Sequence, residues 1–353
     1  MSQFHNLKVV DIKNETSDTV SVAFEIPESD KISFEYISGQ YLTLKVDING
    51  KEERRSYSMC SSPSAGEEMR IAVKRVENGL VSNFINDSIK IGDRIEVMPP
   101  QGNFILETSK EQKTYVGFVA GSGITPVWSM IKSVLQNEPL SKFILFYGNK
   151  TSESTIFKND IDSLVGDRLI VHHILSREET GNSVLSGRIN ETKAIELLNS
   201  DLDLLKAHCY FMCGPEEMIF SVRNALQGLG VSDDKIKYEL FTTPVLFAEE
   251  KEAVISEFKG MARVKVIYDD EEVEFDLASD GDNVLDVAMK HDVDAPFSCK
   301  GAVCCTCKAK VTEGRMTMDA NYALSDEEVD EGFVLACQAH PASENVTLDF
   351  DEA

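Results

Sequence analysis

The pattern of hydrophobic and polar positions changes twice along the chain and divides it into three segments. Over residues 1–108, short β-branched runs such as LKVVDI, SVAFEI, YLTLKV and RIAVKRV are separated by Gly, Asn and Pro, without long helical stretches between them. Closely spaced strands of this kind predict an antiparallel β-barrel or sandwich.

The second segment, residues 109–245, has a different pattern. Apolar strands (TYVGFVAG, KFILFYG, LIVHHIL, HCYFMCG) alternate with helical stretches such as PVWSMIKSVLQ and EEMIFSVRNALQGLG. This alternation predicts a doubly wound α/β domain with a parallel sheet.

The third segment follows a charged stretch, residues 246–259, which has no strand pattern and which we interpret as a linker. Residues 260–353 open with ARVKVIYDDEEVEFDL, which predicts a hairpin that turns at Asp269–Asp270. A helix, NVLDVAMKHD, and a cysteine-rich loop come next. The chain is therefore expected to be multidomain.

Composition excludes several classes of protein. A net charge of −25 argues against nucleic-acid binding, and no apolar run is long enough for a membrane span. No secretory signal pattern is present, so we expect a cytoplasmic protein whose eight cysteines are free, catalytic or metal-bound. Residues 260–353 hold 22 acidic and 7 basic residues, a net charge of −15. This acidic surface is either a docking face for a basic partner or a means of solubility.

The cysteine-rich loop carries the most specific chemical signal. Cys299, Cys304 and Cys307 follow the spacing C-x4-C-x2-C, and Cys337 comes after 29 intervening residues. A structural zinc site usually pairs two short C-x2-C motifs, and only one is present. The spacing is that of a plant-type [2Fe–2S] site, with zinc as the alternative. Cys305 fits no ligand position.

Two stretches of the first segment suggest a flavin site. In RRSYSMCSS, Arg55 and Tyr57 alternate on one side of a strand, and Ser58 offers its backbone and hydroxyl. An arginine can pair with a pyrophosphate, and an aromatic ring can cover a flat ring system. In VKRVENGLVSNF, a helix beginning near Gly79 could direct its amides at a phosphate. The candidate residues are Arg55, Ser56, Tyr57, Ser58, Val73, Lys74, Gly79, Val81 and Ser82.

Two glycine turns of the second segment suggest a nucleotide site. Gly121-Ser122-Gly123 lies between a strand and a helix that is entered by Thr125-Pro126, although the full G-x-G-x-x-G pattern is absent. Cys213-Gly214-Pro215 ends another strand of the same segment. Alone, the first motif could be an ordinary strand-to-helix turn, and Cys213 a small buried hydrophobic residue.

In this order and spacing, these motifs resemble the ferredoxin–NADP reductase superfamily over residues 1–245. The resemblance implies that FAD is held by the R-x-Y-S strand and the G-x-x-S helix start. It implies that G-x-G-x-T-P and C-G-P lie at the nicotinamide nucleotide, and that an acidic residue and an aromatic near the domain's end, here Glu239 and Phe241, approach the flavin. Phe241 could instead be core packing. Ser58, Cys213 and Glu239 are the catalytic candidates.

The same resemblance bears on the choice of nucleotide. In members that select NADPH, Ser and Arg after the third strand of this domain hold the 2′-phosphate, and Ser176 and Arg177 occupy that place here. Lys150 is a possible second cation. We therefore expect NADPH, with NADH possible if Arg177 is only a solvated loop residue.

Residues 260–353 resemble the plant-type ferredoxin family, an α+β fold of the β-grasp type. The family usually has Gly two positions before the second cysteine, where this chain has Ala302. Backbone hydrogen bonds to the cluster sulfurs could therefore differ.

Flavin domain, nucleotide domain and ferredoxin domain, in this order, resemble the reductase components of multicomponent oxygenases. The expected function is electron transfer from NADPH through FAD and a [2Fe–2S] cluster to an oxygenase, by a monomer or weak oligomer. The acceptor could instead be a hydroxylase, a desaturase or a hybrid-cluster protein. A non-catalytic zinc or binding module on a degenerate flavoprotein is the other alternative.

Overall fold

The computed structural model describes residues 4–64, 66–246 and 258–353. Eleven residues of the predicted linker, 247–257, lie outside the described residues. Within the described ranges, no helix has the length and apolar character needed to cross a membrane.

The first segment forms a six-stranded antiparallel sheet, as the strand pattern predicts. Its spatial order is β4-β3-β6-β1-β2-β5. The end of β4 returns to β5, because Met59 bridges to Ile71 and the Cys60 N–H donates to the Arg70 carbonyl at 2.8 Å. This contact closes the sheet into a barrel. The elements are β1 (His5–Thr16), β2 (Thr19–Glu25), β3 (Tyr41–Ile48), β4 (Lys51–Ser58), β5 (Met69–Lys74), α1 (Leu80–Asp87) and β6 (Arg94–Val97).

The second segment is a five-stranded parallel sheet with the order β11-β10-β7-β8-β9. Strands β7 and β10 are neighbours although they are distant in sequence, so the strand order reverses between them. Ligands of doubly wound sheets bind outside the carboxyl ends of the strands at such a point. The elements are β7 (Thr114–Ala120), α2 (Ile124–Asn137), β8 (Lys142–Asn149), α3 (Lys158–Ser163), β9 (Leu169–Leu175), α4 (Glu191–Asn199), β10 (Cys209–Cys213), α5 (Glu216–Gly228) and β11 (Ile236–Glu239).

The third segment is an α+β unit built on the predicted hairpin. Asp269 and Asp270 both have positive φ angles, 55° and 61°, as a two-residue type I′ turn requires. The sheet order is β13-β12-β18-β14-β16, with a separate pair β15-β17. The elements are β12 (Met261–Tyr268), β13 (Glu271–Ala278), α6 (Val284–Lys290), β14 (Lys308–Glu313), β15 (Met316–Met318), α7 (Asp326–Asp330), β16 (Phe333–Leu335), β17 (Ala339–Pro341) and β18 (Asn345–Asp349).

Candidate electron-transfer site

The four predicted ligand cysteines lie in two pairs. The Sγ atoms of Cys299 and Cys304 are 3.1 Å apart, and Cys307 and Cys337 interact closely, so that Cys337 raises the pKa of Cys307 and Cys307 lowers the pKa of Cys337. All four are free thiols. In the described part of the chain, no group of three or more His, Cys, Asp or Glu side chains converges on one point suited to a single ion. Two cysteine pairs match the four-cysteine ligand set of a [2Fe–2S] cluster.

The backbone of the cluster loop directs amides toward these sulfurs. Lys300 and Ala302 have φ angles of 50° and 63°, in the left-handed region, and the Gly301 N–H donates to the Cys299 Sγ at 3.3 Å. The pKa of Cys299 is lowered, because it accepts hydrogen bonds from the Cys304 thiol and from backbone N–H groups of the loop. Ala302 therefore adopts the conformation for which glycine is usual, and the loop keeps its inward-facing amides.

Cys305 has a different environment from the four paired cysteines. Its thiol donates to the Ala323 carbonyl at 3.4 Å, and burial raises its pKa to about 12. The Cys305 thiol is thus hydrogen-bonded outside the two cysteine pairs.

Four of the predicted flavin residues, Arg55 to Ser58, lie along strand β4. Arg55 is about half exposed and pairs with Glu53 at 3.2 Å, whereas burial raises the pKa of Tyr57 above its usual range. Ser58, at the end of the strand, donates its hydroxyl to the Glu239 carboxylate at 3.0 Å. An exposed guanidinium and a covered aromatic ring two residues apart suit the phosphate and ring portions of FAD.

The three catalytic candidates converge at the junction of the barrel and the nucleotide domain. Glu239 ends β11 directly beside Cys213 at the end of β10. Burial raises the pKa of Glu239 to about 8, and the Ser58 hydroxyl only partly offsets this effect. Burial, followed by the charge of Glu239, also raises the pKa of Cys213. Both groups are therefore protonated at neutral pH. Phe241, two residues beyond Glu239, is 43% exposed.

The start of helix α1 fits a phosphate. Gly79 is its N-cap residue and no side chain caps the helix, so its first amides have no side-chain acceptor. A Cβ atom on Gly79 would lie 2.5 Å from the Ser82 Oγ. The side chains of Val73 and Val81 are in the barrel core, so they can offer only backbone atoms, and Lys74 pairs with Asp18 at 3.6 Å.

The two glycine turns of the nucleotide domain lie against each other. Gly121–Gly123 forms a short 3₁₀ turn that leads into α2, and Thr125 donates its hydroxyl to the Ser122 carbonyl at 3.0 Å. A Cβ atom on Gly123 would collide with the Cys213 carbonyl oxygen. Gly214 has a φ angle of 156°, and α5, which follows Pro215, starts without a side-chain cap. Pro126 lies in the first turn of α2. These turns fit the close approach of a dinucleotide's phosphates.

Ser176 and Arg177 lie beyond the carboxyl end of β9, beside the end of β8. The Ser176 N–H donates to the Asn149 carbonyl at 2.9 Å, and the Arg177 N–H donates to the Lys150 carbonyl at 2.8 Å. Arg177 and Lys150 are both exposed, so two cations stand together at the nucleotide-binding edge. Glu178 accepts the Ser152 N–H at 2.9 Å.

The sequence did not reveal a second group of residues, which joins the barrel to the cluster loop. Ser56 lies on the face of β4 opposite Arg55 and Tyr57, and its hydroxyl donates to the Ser298 Oγ at 2.8 Å. The Tyr41 hydroxyl lies 3.1 Å from the Thr306 Oγ1. Arg54 pairs with Asp294 at 2.6 Å. These contacts link residues more than 200 positions apart, and no local pattern marks them.

Comparison with known proteins agrees with this three-part site. The chain matches three family models in order: the oxidoreductase FAD-binding domain at residues 6–105, the oxidoreductase NAD-binding domain at 118–224, and the 2Fe-2S iron-sulfur cluster binding domain at 266–342. Together they define an oxidoreductase that uses FAD, a pyridine nucleotide and a [2Fe–2S] cluster.

Full-length relatives share the same arrangement. The chain is 38% identical to one subunit of the 1,2-phenylacetyl-CoA epoxidase of Escherichia coli (strain K12), over 99% of both chains. It is 32% identical to the ferredoxin reductase component of 3-ketosteroid-9-alpha-monooxygenase of Mycolicibacterium smegmatis (strain ATCC 700084 / mc(2)155), over 98% of this chain and 97% of that one. The solved structure of phthalate dioxygenase reductase has the same fold, with a TM-score of 0.58 at 23% identity over 98% of both chains.

The chain therefore belongs to the ferredoxin–NADP reductase superfamily, in the group of oxygenase reductases with a C-terminal plant-type ferredoxin domain. It is an NAD(P)H-dependent oxidoreductase with FAD and a [2Fe–2S] cluster.

Proposed function

We propose that this chain is the reductase component that carries electrons from NADPH to the oxygenase of a phenylacetyl-CoA epoxidase. The structural support is strand β4, which contacts both neighbouring domains. Ser58 reaches Glu239 of the nucleotide domain, and Ser56 reaches Ser298, the residue before Cys299. Strand β4, which carries the proposed flavin residues Arg55 and Tyr57, is thus joined directly to both the nucleotide domain and the cluster loop. The identity of the acceptor rests on the 38% identical relative.

The bound cofactors supply hydride acceptance by FAD and one-electron storage by the cluster. The chain's own residues position and insulate these groups. Arg55 and the uncapped start of α1 would bind the flavin pyrophosphate, and Tyr57 would cover the ring. We propose Cys299, Cys304, Cys307 and Cys337 as the cluster ligands.

Ser58, Cys213 and Glu239 would form the wall of the hydride-transfer site. The neutral Glu239 carboxyl keeps negative charge away from the site where a hydride arrives. The Ser58 hydroxyl, hydrogen-bonded to Glu239, fixes the end of β4 against the nucleotide domain. The buried Cys213 thiol excludes water from the carboxyl end of β10.

The choice of NADPH over NADH can be tested at Arg177. Arg177→Ala should raise the KM for NADPH about ten- to a hundredfold, since one charge-assisted hydrogen bond is worth about 1.5–3 kcal/mol. The KM for NADH should be nearly unchanged, because NADH has no 2′-phosphate. Arg94→Ala, an exposed arginine of the barrel that donates to the Asn6 carbonyl, is the matched control. A wild-type protein that prefers NADH would refute this assignment.

Reconstitution of the epoxidase reaction tests the identity of the electron acceptor. The loaded chain is mixed with NADPH, phenylacetyl-CoA and the purified oxygenase components of a phenylacetyl-CoA epoxidase, and the epoxide is measured. We expect turnover that requires this chain and is absent with Cys337→Ser. No turnover, with the cluster still reduced by NADPH, would mean that the acceptor is another protein. The cytoplasmic location and the monomeric or weakly oligomeric state stay predictions.

A further inference from the structure

The ferredoxin domain docks on one polar face of the barrel. The Arg54 side chain is 3% exposed and donates to Asp294 at 2.6 Å, while its guanidinium lies 4.3 Å from the centre of the Phe297 ring. Ser56 donates to Ser298. These contacts hold the domain at the segment that precedes the first cluster cysteine.

Tyr41 makes a different contact on this face, because it reaches the cluster loop itself. It is the first residue of β3 and is 5% exposed. Its hydroxyl oxygen accepts the Cys305 N–H at 3.0 Å and lies 3.1 Å from the Thr306 Oγ1. Its ring packs against Gly102, where a Cβ atom would lie 2.9 Å from the ring carbons. The ring is thus fixed by the barrel, and the hydroxyl is fixed by the ferredoxin domain.

Thr306 links the Tyr41 hydroxyl to one of the proposed cluster cysteines. Thr306 stands two residues after Cys304 and interacts with its thiol, and its hydroxyl lies 3.1 Å from the Tyr41 hydroxyl and 3.4 Å from the Thr43 Oγ1. The residue is 1% exposed. Because the Tyr41 oxygen accepts the Cys305 N–H, its proton can go to the Thr306 oxygen, which leaves the Thr306 proton for the Cys304 sulfur or for the Thr43 oxygen. Hydrogen bonds in such a chain strengthen one another. Hydrogen bonds to cluster sulfurs stabilise the more negative, reduced state and raise the reduction potential.

We propose that Tyr41 is a positioning residue for electron transfer, which couples docking of the ferredoxin domain to the reduction potential of its cluster. In the docked arrangement the Tyr41 hydroxyl orients Thr306 toward Cys304, and the cluster becomes a better electron acceptor while it faces the flavin domain. A ferredoxin domain that is not docked would lack this hydrogen bond, and its cluster would be a stronger electron donor. The inference rests on the proposed assignment of Cys304 as a ligand.

The test is a redox titration of the fully loaded chain, followed by the electron paramagnetic resonance of the reduced cluster. Tyr41→Phe removes only the hydroxyl and should lower the cluster potential. Thr306→Val should lower it as well, while Thr306→Ser, which keeps a hydroxyl, should retain the wild-type value. Tyr36→Phe is the matched control, because the Tyr36 hydroxyl bonds to Ser61, away from the cluster loop. This titration needs neither NADPH nor an acceptor, so it can fail independently of the proposed function.

A double variant, Tyr41→Phe with Thr306→Val, tests whether Tyr41 acts on the cluster potential through Thr306. If Tyr41 acts through Thr306, Tyr41→Phe should cause no further shift in a Thr306→Val background. Deuterium exchange of a peptide containing the Cys305 amide should also be about two- to tenfold faster in Tyr41→Phe, as expected for the loss of one hydrogen bond. An unchanged potential in Tyr41→Phe, or an equal shift in both backgrounds, would overturn the proposal. Should Tyr41→Phe fail to retain its cofactors, equal potentials in Thr306→Val and Thr306→Ser would overturn it.

Discussion

Glu239 illustrates how burial sets the chemistry of a single residue. Its partly buried carboxyl lies between the barrel and the nucleotide domain, and loss of solvent raises its pKa from 4.5 to about 8. The group therefore keeps its proton up to pH about 8. Above that pH it becomes a carboxylate beside Ser58.

This protonation should be visible in the rate of flavin reduction by NADPH. In the wild-type protein the rate should fall as pH rises through about 8, because a carboxylate would oppose the arrival of a hydride. Glu239→Gln, which is neutral at every pH, should show no such fall. Stopped-flow absorbance at a series of pH values measures both. The same pH profile in the two proteins would assign the titration to another group.

The cysteines provide a second prediction at the residue scale. Cys337→Ser should abolish or severely disturb the [2Fe–2S] spectrum, because it removes one member of a ligand pair. Cys305→Ser should keep the spectrum, since that thiol bonds to the Ala323 carbonyl instead. Iron content and electron paramagnetic resonance measure the outcome. Equal loss in both variants would refute the ligand assignment.

At the scale of elements, the site depends on close contact between the ends of β7 and β10. Gly123 begins the turn into α2 directly against the Cys213 carbonyl, and only a residue without a Cβ atom fits there. The helix start and the cysteine are thereby fixed relative to each other. The nucleotide site therefore requires the ends of β7 and β10 in contact, and neither glycine motif forms it alone.

Gly123→Ala should therefore destabilise the nucleotide domain by about 1–3 kcal/mol, the usual cost of overpacking, and weaken NADPH binding. Gly228→Ala, at the end of α5 and with open space around it, is the matched control and should be neutral or stabilising. Thermal unfolding and NADPH titration measure both effects. A Gly123→Ala protein with wild-type stability would show that this contact is not needed.

The elements also show what can be predicted from sequence. Closely spaced β-branched runs predicted an antiparallel barrel or sandwich, and the alternation of strands and helices predicted the parallel sheet. The adjacent aspartates of the hairpin predicted its turn. All three signals are local. The spacing of the cysteines was similarly local. The contact of Tyr41 with Thr306 was not predictable, since the two residues are 265 positions apart and a tyrosine that opens a barrel strand resembles a core residue.

Ser56 shows the limit of a motif. It was predicted to bind the flavin because it lies within R-x-Y-S, but strand alternation places it on the opposite face from Arg55 and Tyr57, against Ser298. The motif specifies which residue types are present. The face of the strand on which each side chain lies depends on strand alternation and on the residues that pack against that face. The flavin-binding role of Ser56 stays a prediction.

At the scale of the whole molecule, the barrel lies between two electron-handling domains. It contacts the nucleotide domain through Ser58 and the ferredoxin domain through Tyr41, Arg54 and Ser56. The net charge of −15 over residues 260–353 gives the ferredoxin domain an acidic surface. Such a surface would favour encounter with a basic acceptor, and this role stays a prediction beside the alternative of solubility.

The central claim is that electrons pass from NADPH to the flavin and then to the cluster. Rapid mixing of the loaded chain with NADPH, with the flavin followed by absorbance and the cluster by freeze-quench electron paramagnetic resonance, tests it most directly. We expect flavin reduction first and the reduced-cluster signal second, and in Cys337→Ser flavin reduction at the wild-type rate without a cluster signal. A cluster that is reduced before the flavin, or that stays oxidised when the flavin is fully reduced, would contradict this account.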